Sequence, residues 1–183
     1  TYYGGDLNLG TVFKVKKDGG GYQVLHSFSA AHVDGAYPAA ELTKGSDGAL
    51  YGTTSSGGTD TGGTVYRLSE DGSGYLMLHS FIGNGADGSG LQSGLLEGKD
   101  GALYGTTYSG GGGGGGTVFR LSKDGNGFAV LHYLAVVEGR ASSGSLVKGS
   151  DGALFGTAYF GGDMNMGSLF TLFSHVPAPI VFT

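Results

Sequence analysis

The sequence predicts an all-β fold, and within that class a β-propeller or propeller segment of four-stranded antiparallel blades. The first observation is a repeat: Gly-Ser-Asp-Gly-Ala-Leu-Tyr-Gly-Thr-Thr at 45–54 returns in closely similar form at 98–107 and 149–158. Aligned on Asp47, Asp100 and Asp151, the copies lie 53 and then 51 residues apart, so about 3.5 repeats of 51–53 residues fill the chain. A period of this length is typical of stacked or radially arranged supersecondary units.

The second observation is that each repeat divides into four short strands. In the second complete copy we predict strands at 91–97, 102–108, 117–121 and 128–134, with Asp-Gly turns after the first and third. Asp-Gly between apolar runs is the strongest short-range hairpin signal, because a tight hairpin turn requires positive φ at both turn positions. Three turns joining four antiparallel strands predict a β-meander.

The third observation is that the strands are apolar on both faces. In the stretch 75–81, one face carries Tyr75, Met77, His79 and Phe81, while the other carries Leu76 and Leu78. A sheet with one solvated face would alternate apolar and polar residues. Four-stranded sheets that are buried on both faces and repeat at about 50 residues fit the blades of a propeller.

We expect one repeat domain over residues 1–183, with a half blade at 1–29 and blades at 38–81, 91–134 and 144–183. The last blade's fourth strand is predicted at Ile180–Thr183. Propellers typically close with 4 to 8 blades, and the chain begins in the middle of a repeat. We therefore expect a piece of a longer or processed protein, completed either by further blades or by a second chain.

Composition argues against several classes of protein. Glycine accounts for 41 of 183 residues, but 39% of residues are hydrophobic and lie in periodic runs, which argues against disorder. The net charge is −5 and the 10 Lys and Arg residues are scattered, so no nucleic-acid partner is expected. No run approaches the roughly 18 apolar residues of a membrane span, and the chain has no cysteine for disulfides or thiolate metal sites.

The repeated motifs resemble a known family. Gly-Ser-Asp-Gly-Ala-Leu-Tyr-Gly-Thr-Thr, followed by Gly-Gly-Thr-Val-Tyr-Arg-Leu at 62–68 and Leu-His-Ser-Phe at 78–81, is similar to the GloVer tandem repeat of large bacterial surface or secreted proteins with varied C-terminal anchors. The resemblance recurs three times and covers nearly the whole chain. It implies a propeller, an extracellular location and a bacterial source, and it carries no catalytic residues over to this chain.

Three sets of residues could be mistaken for sites. The equivalent histidines His26, His79 and His132 are predicted to pack against neighbours, because the fourth strand of a blade is outermost and cannot bring them to one metal ion. The Asp-Gly aspartates are predicted to form turns, and Gly110–Gly116 a flexible loop without phosphate-binding character. We therefore predict no catalytic residues, no metal and no cofactor. The aspartates form two equivalent sets, namely Asp47, Asp100 and Asp151, and Asp18, Asp71 and Asp124.

Two matching loops carry apolar residues where the other repeats have none. Gly-Gly-Asp-Leu-Asn-Leu-Gly at 4–10 matches Gly-Gly-Asp-Met-Asn-Met-Gly at 161–167. Leu7, Leu9, Met164 and Met166 are therefore candidate assembly contacts, which either cover one another between the chain ends or meet a neighbouring chain. The alternative is that each packs under its own blade.

The favoured function is a non-enzymatic extracellular scaffold for adhesion or self-assembly, whose partner is a second copy or further blades of the parent chain. A second hypothesis is a propeller that binds carbohydrate or another small ligand through the variable inter-blade loops. A third is a hydrolase or lyase with its site at the channel mouth. Exposed aromatic residues are the candidate ligand contacts for the second hypothesis, namely Tyr2, Tyr3, Tyr37, Tyr108 and Tyr159.

Overall fold

The computed structural model describes residues 1–29, 34–83, 85–135, 137, 139–162 and 164–172. Within these residues the protein is all-β, with thirteen strands, no helix and four antiparallel sheets. The predicted last strand, Ile180–Thr183, lies outside the described residues. The repeat seen in the sequence therefore corresponds to one sheet per repeat.

The first two sheets come from the N-terminal half of the chain. The first sheet contains β1 (Thr11–Lys14) and β2 (Gln23–Ser27). The second sheet contains β3 (Thr43–Lys44), β4 (Leu50–Thr54), β5 (Thr61–Leu68) and β6 (Leu76–Ile82).

The last two sheets repeat this plan. The third sheet contains β7 (Leu96–Glu97), β8 (Leu103–Thr106), β9 (Gly114–Leu121) and β10 (Ala129–Ala135). The described part of the fourth sheet contains β11 (Val147–Lys148), β12 (Leu154–Ala158) and β13 (Ser168–Leu172). Each sheet is ordered as the chain runs, which confirms the antiparallel meander.

Strand lengths differ from the prediction in two ways. The first strand of each complete sheet has only two residues, because the segment before it leaves its own sheet to contact neighbouring sheets. The third strand is longer than predicted and begins inside the glycine run, with Gly114 paired to Ala135. The prediction of a flexible loop over all of Gly110–Gly116 is therefore wrong for its last three residues.

The Asp-Gly turns also differ from the predicted type. Gly48 has φ +83°, but Asp47 does not have positive φ, so the turn is not the mirror-image type that needs both. Gly48 N–H donates to Gly45 O at 2.9 Å, and Gly45 N–H to Ala49 O at 2.8 Å. These bonds describe a type I turn closed by a left-handed glycine.

All six turn aspartates accept a hydrogen bond from the backbone amide two residues later, which confirms their predicted role in turn formation. The pairs are Asp18 with Gly20, Asp47 with Ala49, Asp71 with Ser73, Asp100 with Ala102, Asp124 with Asn126 and Asp151 with Ala153.

Three apolar clusters join consecutive sheets face to face. Val12 and Phe28 of the first-sheet repeat pack with Tyr66 and Leu68 of the second. The other clusters join the second sheet to the third, and the third to the fourth, through equivalent positions. Both faces of the inner sheets are thus buried, as the apolar residues on both strand faces predict.

The segments that precede the first strands converge at one place. Glu41, Gly94 and Ser145 occupy equivalent positions in three consecutive repeats. Ser145 Oγ donates to Glu41 Oε1 at 2.5 Å and accepts from Gly94 N at 3.0 Å. Residues 104 positions apart therefore touch, so the segments before the first strands of three repeats meet.

Candidate interaction surfaces

Two of the fourth-strand histidines, His26 and His79, stack on a ring of the next sheet. The His26 ring lies parallel to the Tyr75 ring with centroids 3.9 Å apart. His26 Nε2 lies 3.0 Å from Asp34 Oδ1, and Tyr75 Oη donates to Asp34 O at 2.5 Å. Although burial raises the pKa of Asp34, hydrogen bonds led by His26 hold that pKa below its usual value. The packing role predicted for this histidine is confirmed.

His79 repeats the stack with one polar contact fewer. Its ring lies 3.9 Å from the Phe128 ring, where the preceding junction has Tyr75. Its Nε2 is buried, 3.4 Å from Asp87 Oδ2, and makes no hydrogen bond in the described structure. Burial lowers the pKa of His79, opposed by Asp87. The histidines therefore join neighbouring sheets through packing. His132 holds the equivalent position in β10.

The fourth sheet ends in an exposed apolar surface. Leu169 is 70% exposed, whereas Val65 and Val118, the equivalent residues of β5 and β9, are fully buried. Val147 is exposed on the same face, and Phe155, paired with Val147, is half-buried. We call Val147, Phe155 and Leu169 the last-end surface.

The first sheet ends in a different apolar surface. Val15 is 50% exposed, whereas the equivalent Leu68 and Leu121 are fully buried. Phe13 and Tyr22 are exposed, with ring centroids 5.5 Å apart, and Val24 pairs with Phe13 in the sheet. We call Phe13, Val15, Tyr22 and Val24 the first-end surface. It is the opposite face of the repeat from the last-end surface.

The described residues of the matching loops at 4–10 and 161–167 make the same hydrogen bonds. Gly4 N–H donates to Asn8 Oδ1 at 2.9 Å, and Gly161 N–H to Asn165 Oδ1 at 3.0 Å. Both asparagines are left-handed, with φ +58° and +55°. Each loop closes with a second bond, from Gly10 N–H to Gly4 O and from Gly167 N–H to Gly161 O.

The four apolar residues of these loops lie in different environments. Leu9 is half-buried against the cluster between the first and second sheets. Its equivalent Met166 is 85% exposed, and Leu7 and Met164 are exposed as well. Within one chain, Leu7, Met164 and Met166 therefore remain open to solvent instead of covering one another. Their contact with a neighbouring chain stays a prediction.

The structure brings three of the five candidate aromatic residues together. The Tyr2 and Tyr37 rings stack at 5.1 Å and 20°, and Tyr3 meets both edge-on. Tyr2 and Tyr3 are exposed and Tyr37 is half-buried. Tyr159 is exposed beside Phe160, while Tyr108 is half-buried beside Ser89. All five lie on loops at the same end of the sheets.

The described residues lack two further features. They contain no group of three or more His, Cys, Asp or Glu side chains placed to hold a metal ion. They also contain no helix long and apolar enough to cross a membrane.

The comparison with protein families decides the identity of the repeat. A model of the Gloeobacter/Verrucomicrobia repeat matches residues 1–177. The chain belongs to this repeat family. This is the GloVer repeat family that the sequence motifs resemble, so the predicted resemblance is confirmed. No curated protein matches the chain.

The residues that form the end surfaces of this Gloeobacter/Verrucomicrobia repeat chain were not predicted from the sequence. The signal was available in the third strands: aligned as Thr11–Val15, Thr64–Leu68, Thr117–Leu121 and Ser168–Leu172, they share one apolar pattern. Among the described residues the first and last copies have a neighbouring sheet on one side only, so their outward residues mark the surfaces.

Proposed function

We propose that this chain is a non-enzymatic, extracellular β-propeller segment that serves as an assembly scaffold. Its two end surfaces associate with further repeats of the same kind, above all those of a second copy. The main support is a difference in burial between equivalent residues: Leu169 is 70% exposed, whereas Val65 and Val118 are fully buried. Exposed apolar surface of this kind marks interaction sites.

The propeller arrangement has two supports. Sheets buried on both faces and following one another face to face are the packing of propeller blades. The hydrogen bonds of Ser145 with Glu41 and Gly94, from the segments before the first strands of three repeats, support a common axis for these repeats. In this arrangement each sheet is a blade, and the short first strands are the innermost.

The two ends favour head-to-tail assembly. The last-end and first-end surfaces are opposite faces of one repeat, and within the chain these faces already pack against each other at the internal junctions. A second copy can therefore reproduce the internal junction by placing its first end on the last end of its neighbour. Such heterologous contacts produce rings or filaments.

Mass measurement tests this proposal. We expect the purified chain, of 18.4 kDa, to show a concentration-dependent mass above that of one chain in sedimentation velocity. Leu169→Arg should lower the mass towards a single chain, because a charge in a buried contact is costly. The matched control is Ile82→Arg, which replaces an exposed apolar residue within an internal sheet. A wild-type monomer, or equal effects of both variants, would contradict the proposal.

The tyrosine cluster favours carbohydrate binding as a second candidate function. Tyr2, Tyr3 and Tyr37 present three grouped phenol rings with polar edges, a chemistry that suits the apolar faces and hydroxyl groups of sugars. A glycan array should show binding that Tyr3→Ala removes and Tyr133→Ala, an exposed tyrosine of β10, leaves unchanged. An array without binding would exclude this candidate for the glycans displayed.

A further inference from the structure

The segments that connect consecutive sheets dock on the preceding repeat in one repeated way. At each junction one residue with positive φ donates its N–H to a carbonyl just before or at the start of the third strand of the preceding repeat. The pairs are Tyr37 to Leu9 O at 2.8 Å, Gly90 to Gly62 O at 2.9 Å and Ala141 to Gly115 O at 3.2 Å.

The next residue of each connecting segment is buried: Pro38, Leu91 and Ser142. Pro38 and Leu91 each lie against the glycine that follows the accepting carbonyl. A Cβ added at Gly10 would come within 3.0 Å of Pro38 Cγ, and one added at Gly63 within 3.0 Å of Leu91 Cδ1. The docked residue therefore occupies part of the space that a side chain at this glycine would need. The repeat's own second strand closes the rest, since Thr54 O lies closer still to a Cβ added at Gly63.

The loop at 161–167 presents the same acceptor for a fourth time. Gly167 has φ +102°, as Gly10 does, and Met166 O is the equivalent of Leu9 O. Beside it lies an open pocket of about 550 Å³. The residues that line this pocket are Ser143, Thr157, Ala158, Tyr159, Phe160, Asn165 and Met166.

One lining residue has an internal precedent for its partner. Thr53, the equivalent of Thr157, is buried and donates its hydroxyl to Ser93 O, in the connecting segment of the following repeat, at 3.0 Å. Thr157 is exposed. The junction between the second and third sheets therefore shows both the backbone acceptor and the side-chain donor in their occupied form, while the pocket shows them open.

We propose that the pocket at 157–167 binds the connecting segment of another repeat of this family. The bound segment carries a left-handed residue whose N–H donates to Met166 O, followed by a small or apolar residue that covers Gly167. This inference rests on the proposed function, because it identifies what one end recognises. It is separate from the head-to-tail contact: the first-end surface consists of β1 and β2 side chains and includes no connecting segment.

The probe is a synthetic peptide of residues 34–42, Asp-Gly-Ala-Tyr-Pro-Ala-Ala-Glu-Leu, added to the full chain carrying ¹³C-methyl methionine. The chain has three methionines, Met77, Met164 and Met166, and Met77 in β6 serves as an internal control. We expect saturable shifts of the Met166 methyl signal at millimolar peptide, with Met77 unmoved. A peptide with Pro38→Asp should not shift Met166. Thr157→Val should weaken binding roughly two- to tenfold, the value of one hydrogen bond.

Three results would overturn the inference: no saturable shift, equal shifts of all three methyl groups, or a shift of Met166 by cellohexaose but not by the peptide. The last would make the pocket a sugar site. The titration is repeated with Val15→Arg, which alters the first-end surface and not the pocket. If the peptide binds but the wild-type chain and the end-surface variants have the same mass in sedimentation velocity, the proposed assembly is rejected and the pocket proposal stands. If the chains associate but the peptide does not bind, only the pocket proposal is rejected.

Discussion

The histidines of the fourth strands show how one repeated residue meets two environments. His26 stacks on a tyrosine and bonds a carboxylate, whereas His79 stacks on Phe128 and has a buried Nε2 without a hydrogen bond. A buried polar atom without a partner is costly. Protonation of His79 is opposed by burial more than it is favoured by Asp87, so its pKa is lowered.

This environment predicts a pH dependence of stability. The pKa of His79 is lower in the folded chain than in the unfolded one, where it is near 6.5. Between these values the unfolded chain binds more protons, so the contribution is present above about pH 6.5 and is lost as pH falls through the folded pKa. His79→Phe should therefore flatten the fall in unfolding free energy between about pH 7.5 and 5.

Urea unfolding of both proteins across this range measures the difference, and the other histidines cancel because both proteins share them. Phenylalanine keeps the ring against Phe128 and removes the unbonded nitrogen. Parallel pH profiles would show that His79 does not titrate in the way its burial indicates.

At this scale the sequence predicts the role of a residue better than its chemistry. The repetition of His26, His79 and His132 indicates a shared packing position. The sequence also carried a signal for their carboxylate partners, because Asp34 and Asp87 lie 53 residues apart and each precedes a glycine. The loops match nowhere else, and each stacking ring comes from the next sheet.

The connecting segment is the element that joins one sheet to the next. Besides its contact with the preceding repeat, it lies across a pair of threonines, one at the end of the second strand or just after it and one within the third. Thr107 and Thr117 hydroxyls are 3.0 Å apart and buried, and Thr117 Oγ1 donates to Asp87 O at 2.9 Å. Gly88, with φ +94°, passes directly over this pair.

We therefore expect Gly88→Ala to destabilise the chain strongly. Its Cβ would lie 2.9 Å from Thr117 Oγ1, in a conformation that already strains alanine. Strain and overpacking together give a loss of roughly 2 kcal/mol or more. Gly101→Ala is the matched control: φ is +76° and no atom lies within 4 Å of the added Cβ, so only strain of roughly 1 kcal/mol remains.

Thermal unfolding distinguishes the two variants, since about 1 kcal/mol shifts Tm by roughly 2–4 °C in a domain of this size. Equal losses would mean that the connecting segment moves off the threonine pair at little cost. In that case the close approach at Gly88 does not hold the sheets together.

The existence and order of the strands could be predicted from the alternation of side chains and from the turn residues, and the antiparallel meander was predicted in this way. Turn type was not, because Asp-Gly fits both a mirror-image turn and a type I turn with a left-handed glycine. The two-residue first strands were missed for a different reason. Residues such as Leu95 look like strand residues, but Leu95 packs in the cluster between the second and third sheets and its carbonyl accepts from Thr43 of the preceding repeat.

At the scale of the molecule, equivalent residues of the repeats are buried or exposed according to the position of their repeat in the array. Leu169 has the strand context of Val65, yet it is exposed because it belongs to the last described sheet. Local sequence cannot distinguish the two, so the open ends can be predicted only by counting repeats. The same count shows why the ends are complementary: each presents the face that the other lacks.

Mixing two end variants tests this complementarity. Leu169→Arg blocks the last-end surface and keeps the first, and Val15→Arg does the opposite, so each alone should be close to a single chain. When the two variants are mixed in equal amounts, one supplies an intact first-end surface and the other an intact last-end surface. The mixture should therefore form a complex of two chains and no larger species. Analytical ultracentrifugation separates one chain of 18.4 kDa from two. If association joined like ends, each variant would still dimerise alone through its intact surface. The mixture would then add nothing, and the head-to-tail arrangement would be wrong.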